Sequence, residues 1–232
     1  MMLRCNALLA NSRRDLVTRD ITQALREWVA EGFGQIGEIA VRRLASGYYD
    51  LRHFDDARRD DLALHTTPED ARILANTDDA NRYRRLKTAP TLRHGWRMEL
   101  ANLGTVRRAL DFFYPAMLGI RFSHQRGELI PVPFRETLGR QSGMYAVARR
   151  ITDAQAQVII RDLCNSCDGC LKTILWQIAP GVQVTSLPAA KSDPLANQLG
   201  TPMRALPMLC HEACNLLVTK AREVVKTTAE NV

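Results

Sequence analysis

The 232-residue chain has no apolar run near the roughly 20 residues that a bilayer-spanning helix needs, which excludes such a span. Its N-terminus, MMLRCNALLANSRRDLV, offers an apolar patch of only a few residues before arginines follow. That is shorter than the core of a secretory signal, so a cytoplasmic protein with no membrane partner is expected. Glycine-rich phosphate loops and Gly-x-Ser-x-Gly elbows are missing, which removes the usual signatures of nucleotide and serine-hydrolase chemistry. Internal repeats and low-complexity stretches are missing as well. Lysine is scarce: Lys87, Lys172, Lys191, Lys220 and Lys226 are the only five, so arginine carries most of the positive charge.

What is present is ordinary globular material. Apolar residues make up 46% and charged residues 25%, enough for a core in one or two domains and too little charge for wholesale disorder. The net charge of +7 permits an anionic partner without naming one. The strongest local excess runs from Arg82 to Arg97, six basic residues with no acid among them. No nucleic-acid-binding motif accompanies it, so nucleic acid is not an expected partner.

Along the chain, Ile21, Leu25, Trp28 and Val29 recur at helical spacing. Glycines 32, 34 and 37 break that pattern, and Ile36–Arg43 with Tyr48–Phe54 read as a hairpin around Ser46-Gly47. Thr67-Pro-Glu-Asp opens a helix expected to end near Asn76. Residues 78–95 read as a long loop, Trp96–Leu100 as a strand, and Thr105–Tyr114 as a helix stopped by Pro115. Residues 120–134 read as a weak hairpin and Glu136–Gln141 as one helical turn. Thr152-Asp153 caps a helix leading straight into Cys164, residues 180–207 form a proline-rich connection, and a last helix starts near His211.

Cysteine placement carries the functional argument. Five of six cysteines fall between Cys164 and Cys214, and Cys5 stands alone as an ordinary thiol. In a reducing compartment such a group holds metal more often than it forms disulfides. Cys164-Asn-Ser-Cys167-Asp-Gly-Cys170 lets thiolates face one point in a turn that Gly169 makes sterically cheap. Cys210-His-Glu-Ala-Cys214 at a helix start stacks two thiolates on one face. Together they form a four-thiolate cage drawn from five candidates, and spacing does not decide which four. Thiolate cages accept zinc or an iron–sulfur cluster. The large apolar neighbours Leu171, Ile174, Leu175, Trp176, Leu216 and Leu217 favour the cluster. His211 is a candidate substitute ligand, but a histidine at a helix start is more often a plain surface residue.

The loop residues Arg82, Arg84, Arg85, Lys87 and Arg93 are candidates for gripping a polycarboxylate, since arginine forks match carboxylates bidentately. The competing expectation pairs them with the nearby aspartates. His53, His65 and His94 show no metal spacing and read as structural.

Several segments together carry a family resemblance: Tyr83-Arg-Arg-Leu-Lys-Thr-Ala-Pro-Thr-Leu-Arg-His-Gly-Trp96, Arg140-Gln-Ser-Gly-Met-Tyr145, Cys167-Asp-Gly-Cys170-Leu-Lys-Thr-Ile-Leu-Trp176, and Cys210-His-Glu-Ala-Cys214-Asn. They resemble the C-terminal half of CbiX-like sirohydrochlorin chelatase proteins, a stabilising domain followed by a domain that binds a 4Fe–4S cluster. The resemblance spans roughly residues 36–225. It implies an iron–sulfur cluster in preference to zinc, and a link to cobalamin or sirohaem biosynthesis. A tetrapyrrole and a separate chelatase or electron-transfer protein become the expected partners. The chelatase half would need on the order of 100 residues and has no counterpart of that length before residue 36, so chelation by this chain alone is not expected.

The expected fold is α+β. A leader and helix (1–35) precede a hairpin-and-helix domain of stabilising type (36–150), followed by a mostly helical cysteine-cluster domain (151–232). The competing class is a structural module whose zinc or cluster only staples its C-terminal part.

Overall fold

A computed structural model describes residues 11–30, 34–129, 132–166, 169–179, 182–183 and 204–230, with residues 11–20, 178–179, 182–183, 204 and 230 described by backbone alone. Cys5, Cys167 and most of the 180–207 connection lie outside the described residues. The first helix, α1 (Asn11–Ala30), buries Ile21, Leu25, Trp28 and Val29, the four positions picked out by periodicity. After it come β1 (Gly34–Ile36), β2 (Ile39–Arg43) and β3 (Tyr49–His53). The expected first arm of the hairpin is therefore two strands, divided at Gly37. That residue sits at a φ of +54°, and a Cβ there would meet the Tyr114 hydroxyl at 2.6 Å. Glycine is required both for the turn and for the close approach.

Next in the chain are β4 (Ala63–His65), α2 (Asp70–Leu74), β5 (Trp96–Leu100) and α3 (Leu103–Phe113). The strands form one sheet in the order β4-β5-β3-β2-β1, antiparallel except for the β4–β5 pair. A sixth strand, β9 (Arg204–Leu206), returns from the C-terminal half and adds in parallel to β1. Strand β5 alternates buried and half-buried residues, placing Trp96, Met98 and Leu100 in the core. Helix α3 begins at a capping box in which Asn102 and Thr105 bond reciprocally.

One expectation fails here. Residues 117–125 form helix α4 (Met117–Gln125), where the sequence suggests a hairpin. The apparent alternation of Ile120 and Phe122 belongs to a helical stripe that starts earlier, at Met117, Leu118 and Phe122. Ala116, at a φ of 62°, turns the chain into it directly after α3.

The second half contains α5 (Phe134–Gly139), a 3₁₀ stretch (Gly143–Arg150) and α6 (Asp153–Leu163). It continues with β6 (Thr173–Ile174), β7 (Gln177–Ala179), β8 (Val182–Gln183), β10 (Leu209–Cys210) and α7 (Asn215–Glu230). The Thr152 cap is a full capping box with Gln155. The buried residues divide into two apolar clusters. One spans Ile21 to Phe122 with Leu206 and Met208, and the other joins Phe134, Leu138, Ala148, Ile151, Ile160, Trp176, Leu217, Val218 and Ala221. The division falls between Phe122 and Phe134, so the segment expected to close the first domain near residue 150 packs with the second. Helix α1, the helix of the leader-and-helix segment (1–35), packs into the first core. Phe134 anchors the second core by stacking on Trp176, ring centroids 4.6 Å apart.

Candidate metal centre

Two short ladders of backbone bonds bring the distant cysteine segments together. Strand β6 pairs in parallel with β10, with Thr173 opposite Leu209 and Ile174 opposite Cys210. The amide of Leu175 donates to Cys210 O at 2.8 Å, and that of Thr173 to Met208 O at 2.8 Å. Cys210 is thus carried to the side of the turn that ends in Cys170. Cys164 closes α6, its amide bonded to Ile160 O, and Cys214 opens α7, its carbonyl accepting from Val218 N. Gly169 tightens the turn between them: its amide donates to Ser166 O at 2.9 Å, and a Cβ would lie 2.9 Å from Cys164 O.

The sulfur-bearing residues Cys164, Cys170, Cys210 and Cys214 line one pocket of about 390 Å³, counted with its open mouth. Leu86, Leu163, Ile174, Trp176 and Leu217 form the apolar wall, and Lys172 is the one cation in the lining. All four thiols are free. Burial pushes the Cys164 thiol far up, with the neighbouring thiols Cys170, Cys210 and Cys214 adding to the effect. Burial also raises Cys210, opposed by Lys172 and by the Trp176 N–H. A largely apolar pocket of this kind makes bare thiolates costly, so a cation that replaces the protons is the natural occupant.

Hydrogen bonds already reach two of the sulfurs. Trp176 Nε1 donates to Cys210 Sγ at 3.5 Å, and Thr88 Oγ1 lies 2.9 Å from Cys170 Sγ. The N-terminus of α7 at Cys214 adds a positive dipole end. Thiolate donors, burial and hydrogen bonds to sulfur fit an iron–sulfur cluster.

Thr88 and Leu86 belong to the first half of the chain, and sequence reasoning missed both. The Leu171 amide donates to Thr88 O at 2.7 Å, so the long loop 78–95 docks against the cysteine turn. No spacing rule could have revealed this docking, because Thr88 and Cys170 stand 82 positions apart.

The loop's basic residues behave differently from a free anion grip. Arg84 is buried, and its guanidinium donates to Ala75 O, Lys87 O, Ala89 O and Thr91 Oγ1, with Glu38 at 3.6 Å. Lys87 Nζ bonds Ala75 O and Asn76 Oδ1 and lies over the Tyr83 ring. Arg82 pairs with Asp78, and Arg93 donates to Thr77 Oγ1. Arg85 is exposed, and its charge acts on Glu223 of α7. Arg84 holds the loop's own carbonyls, which an irregular buried segment must satisfy, and Lys87 bonds that of Ala75 beside it. Arg140 pairs with Glu212 and Glu136, bracing the 210–214 turn from outside. His211 is half-buried, and desolvation lowers its pKa.

Free thiols converging in an apolar, hydrogen-bonded pocket define a thiolate metal site, and the family comparison makes it that of an iron–sulfur protein. Two family models match consecutive stretches, the DR2241 stabilising domain over residues 19–125 and the 4Fe-4S iron-sulfur cluster binding domain over residues 126–223. Residues 19–125 thus match a stabilising domain of that type and residues 126–223 a 4Fe–4S cluster-binding domain, as the resemblance implied. Among solved structures it is similar to DR2241 from Deinococcus radiodurans, described as a multi-domain protein with structural similarity to chelatases and two additional novel domains. The identity is 27% and the TM-score 0.72, over 92% of this chain and 42% of that one. No curated protein is matched. Among the described residues no helix is long and apolar enough to cross a membrane.

Proposed function

We propose that this chain is a cytoplasmic redox or accessory module for tetrapyrrole metallation on the way to cobalamin or sirohaem, serving a separate chelatase or electron-transfer protein. Its 4Fe–4S cluster would be held by four of the five residues Cys164, Cys167, Cys170, Cys210 and Cys214. A bound cluster supplies one-electron chemistry. The chain's own residues set its surroundings: Leu86, Leu163, Ile174 and Leu217 exclude water, while Thr88 and Trp176 offer hydrogen bonds to sulfur. Such bonds, with burial, are the protein's means of tuning a cluster potential. The convergence of thiols from two distant stretches in one largely apolar pocket carries this reading. The likeness to a chelatase-like protein supports the tetrapyrrole link.

Anaerobic purification with iron and sulfide analysis, followed by EPR after dithionite reduction, tests the redox part. A reducible cluster with a new EPR signal is expected, and zinc without sulfide would overturn it. Single Cys→Ser variants at the five positions should leave one variant loaded and four depleted. Direct titration with sirohydrochlorin, followed by fluorescence, tests the tetrapyrrole part, and the absence of saturable binding by the chain alone and with a chelatase removes it.

One observation favours the staple reading. The pocket wall joins Leu86 of the first half to both cysteine stretches, so a cluster there would tie the two halves together whatever its redox behaviour. A cluster that resists dithionite yet raises the unfolding temperature would establish that role.

A further inference from the structure

Folding assembles a second constellation, on the sheet side of the molecule and formed by none of the cysteines. His53 ends β3 and His94 lies near the end of the long loop, yet their rings stand 4.0 Å apart between centroids. Asp55 Oδ2 lies 3.7 Å from His53 Nδ1 and 3.8 Å from His94 Nε2. One donor atom from each of the three residues falls within 4.8 Å of the other two.

The hydrogen bonds fix the tautomers. The Asp55 amide donates to His53 Nδ1 at 3.2 Å, so that nitrogen carries a lone pair and the ring proton sits on Nε2. His53 Nε2 faces the buried carboxylate of Glu38 at 3.5 Å. On the other ring, His94 Nδ1 bonds Asp79 Oδ2 at 2.7 Å, and the His94 amide holds the second Asp79 oxygen at 2.8 Å. Both imidazoles are therefore backed by a carboxylate, and each turns its remaining nitrogen towards Asp55. Carboxylate-backed histidines are the usual outer arrangement of a metal site, because the second carboxylate fixes the tautomer and raises ligand basicity.

From these contacts the geometry points to a mononuclear site for a divalent transition cation, ligated by His53 Nδ1, Asp55 and His94 Nε2, with Glu38 and Asp79 as positioning residues. Bonds of about 2.1 Å around a tetrahedral ion place ligand atoms roughly 3.4 Å apart. The observed 3.7 and 3.8 Å close to that value by a few tenths of an ångström. The Asp55 side chain is exposed, which gives it room to move and leaves the 3.2 Å amide contact as the one bond exchanged for coordination. His53 is buried at the base and the other two ligands open to solvent, so further coordination positions remain for water or a small ligand. Two histidines and one carboxylate with open positions suit zinc and its first-row neighbours.

Zinc titrated into the anaerobic, cluster-loaded chain, followed by dialysis and metal analysis, tests the site independently of the cluster. Zinc retention at unchanged iron and sulfide is expected. Competition with a chromophoric chelator should show binding weakened more than ~100-fold in Asp55→Asn and His94→Ala, and ~10–100-fold in Asp79→Asn. Asp55→Asn alters an exposed side chain, so loss of folding does not confound it. Failure to retain zinc, equal retention in Asp55→Asn, or retention only with loss of iron would each overturn the proposal.

Discussion

The hydroxyl of Thr88 lies 2.9 Å from the sulfur of Cys170, joining a loop of the stabilising domain to the cluster-binding domain. Both atoms are buried, and the adjacent Leu171 amide on Thr88 O fixes their register. With a thiolate at Cys170 the hydroxyl must be the donor. Such a bond stabilises the more negative, reduced cluster.

Replacing Thr88 by valine removes that donor while keeping the branched shape. A hydrogen bond of ~1 kcal/mol corresponds to about 40 mV for a one-electron couple. Only the part of it that differs between the two oxidation states moves the potential, so that of Thr88→Val is expected to fall by up to about that amount. Potentiometric EPR titration measures it, and an unchanged potential would show that the contact does not reach the cluster electronically.

Trp176 offers a second donor, to Cys210, while its ring stacks on Phe134. Trp176→Phe keeps an aromatic ring for the stack and removes the N–H. A fall in potential no larger than for Thr88→Val is expected, since the 3.5 Å contact is longer. The double variant should show the sum of the two shifts, because the bonds reach different sulfurs. Potentials of the three variants, measured side by side, check both statements.

Arg84 acts as a clamp on its own loop. Its removal would leave the carbonyls of Ala75, Lys87 and Ala89 short of a donor and the Glu38 carboxylate without its nearest guanidinium. Arg84→Ala is expected to destabilise the chain by ~3–5 kcal/mol, the range for breaking a buried charged pair. Arg85→Ala, at an exposed position, should stay within ~0.5 kcal/mol. Denaturant unfolding of the two variants distinguishes a loop built by Arg84 from one whose cations serve only a ligand.

These contrasts show which parts of the molecule were legible in the sequence. Helices with a clean start and one apolar stripe were readable: Thr152 and Gln155 form the expected cap, and Ile21, Leu25, Trp28 and Val29 are buried. Local spacing also revealed the thiol group, since Gly169 and the Cys-x-x-Cys steps act within one turn. Helix α4 was not readable, because its short stripe mimics alternation once Met117 and Leu118 are left out of the window. Thr88 against Cys170 and His53 beside His94 are contacts between segments far apart in the chain, made by the sheet and the loop packed on it. The charged loop misled for a related reason: Arg84 looks like a surface cation until the carbonyls it must satisfy are seen.

The last prediction concerns the turn that carries the cysteines. Gly169 has no side chain, and a Cβ built there would lie 2.8 Å from Ser166 O and 2.9 Å from Cys164 O. Both neighbours are backbone, so neither can swing aside as a long side chain would. Gly169→Ala must open the turn, and the cost of forcing one methyl into such a space is ~1–3 kcal/mol. Because Cys164 and Cys170 flank the strained peptide, the opening moves the thiols before it disturbs either apolar core. The expected phenotype is therefore a folded chain with depleted iron and sulfide, its circular dichroism close to that of the unaltered protein. Full loading in Gly169→Ala would mean that the turn tolerates expansion and that the cysteine geometry is set elsewhere, by the β6–β10 ladder alone.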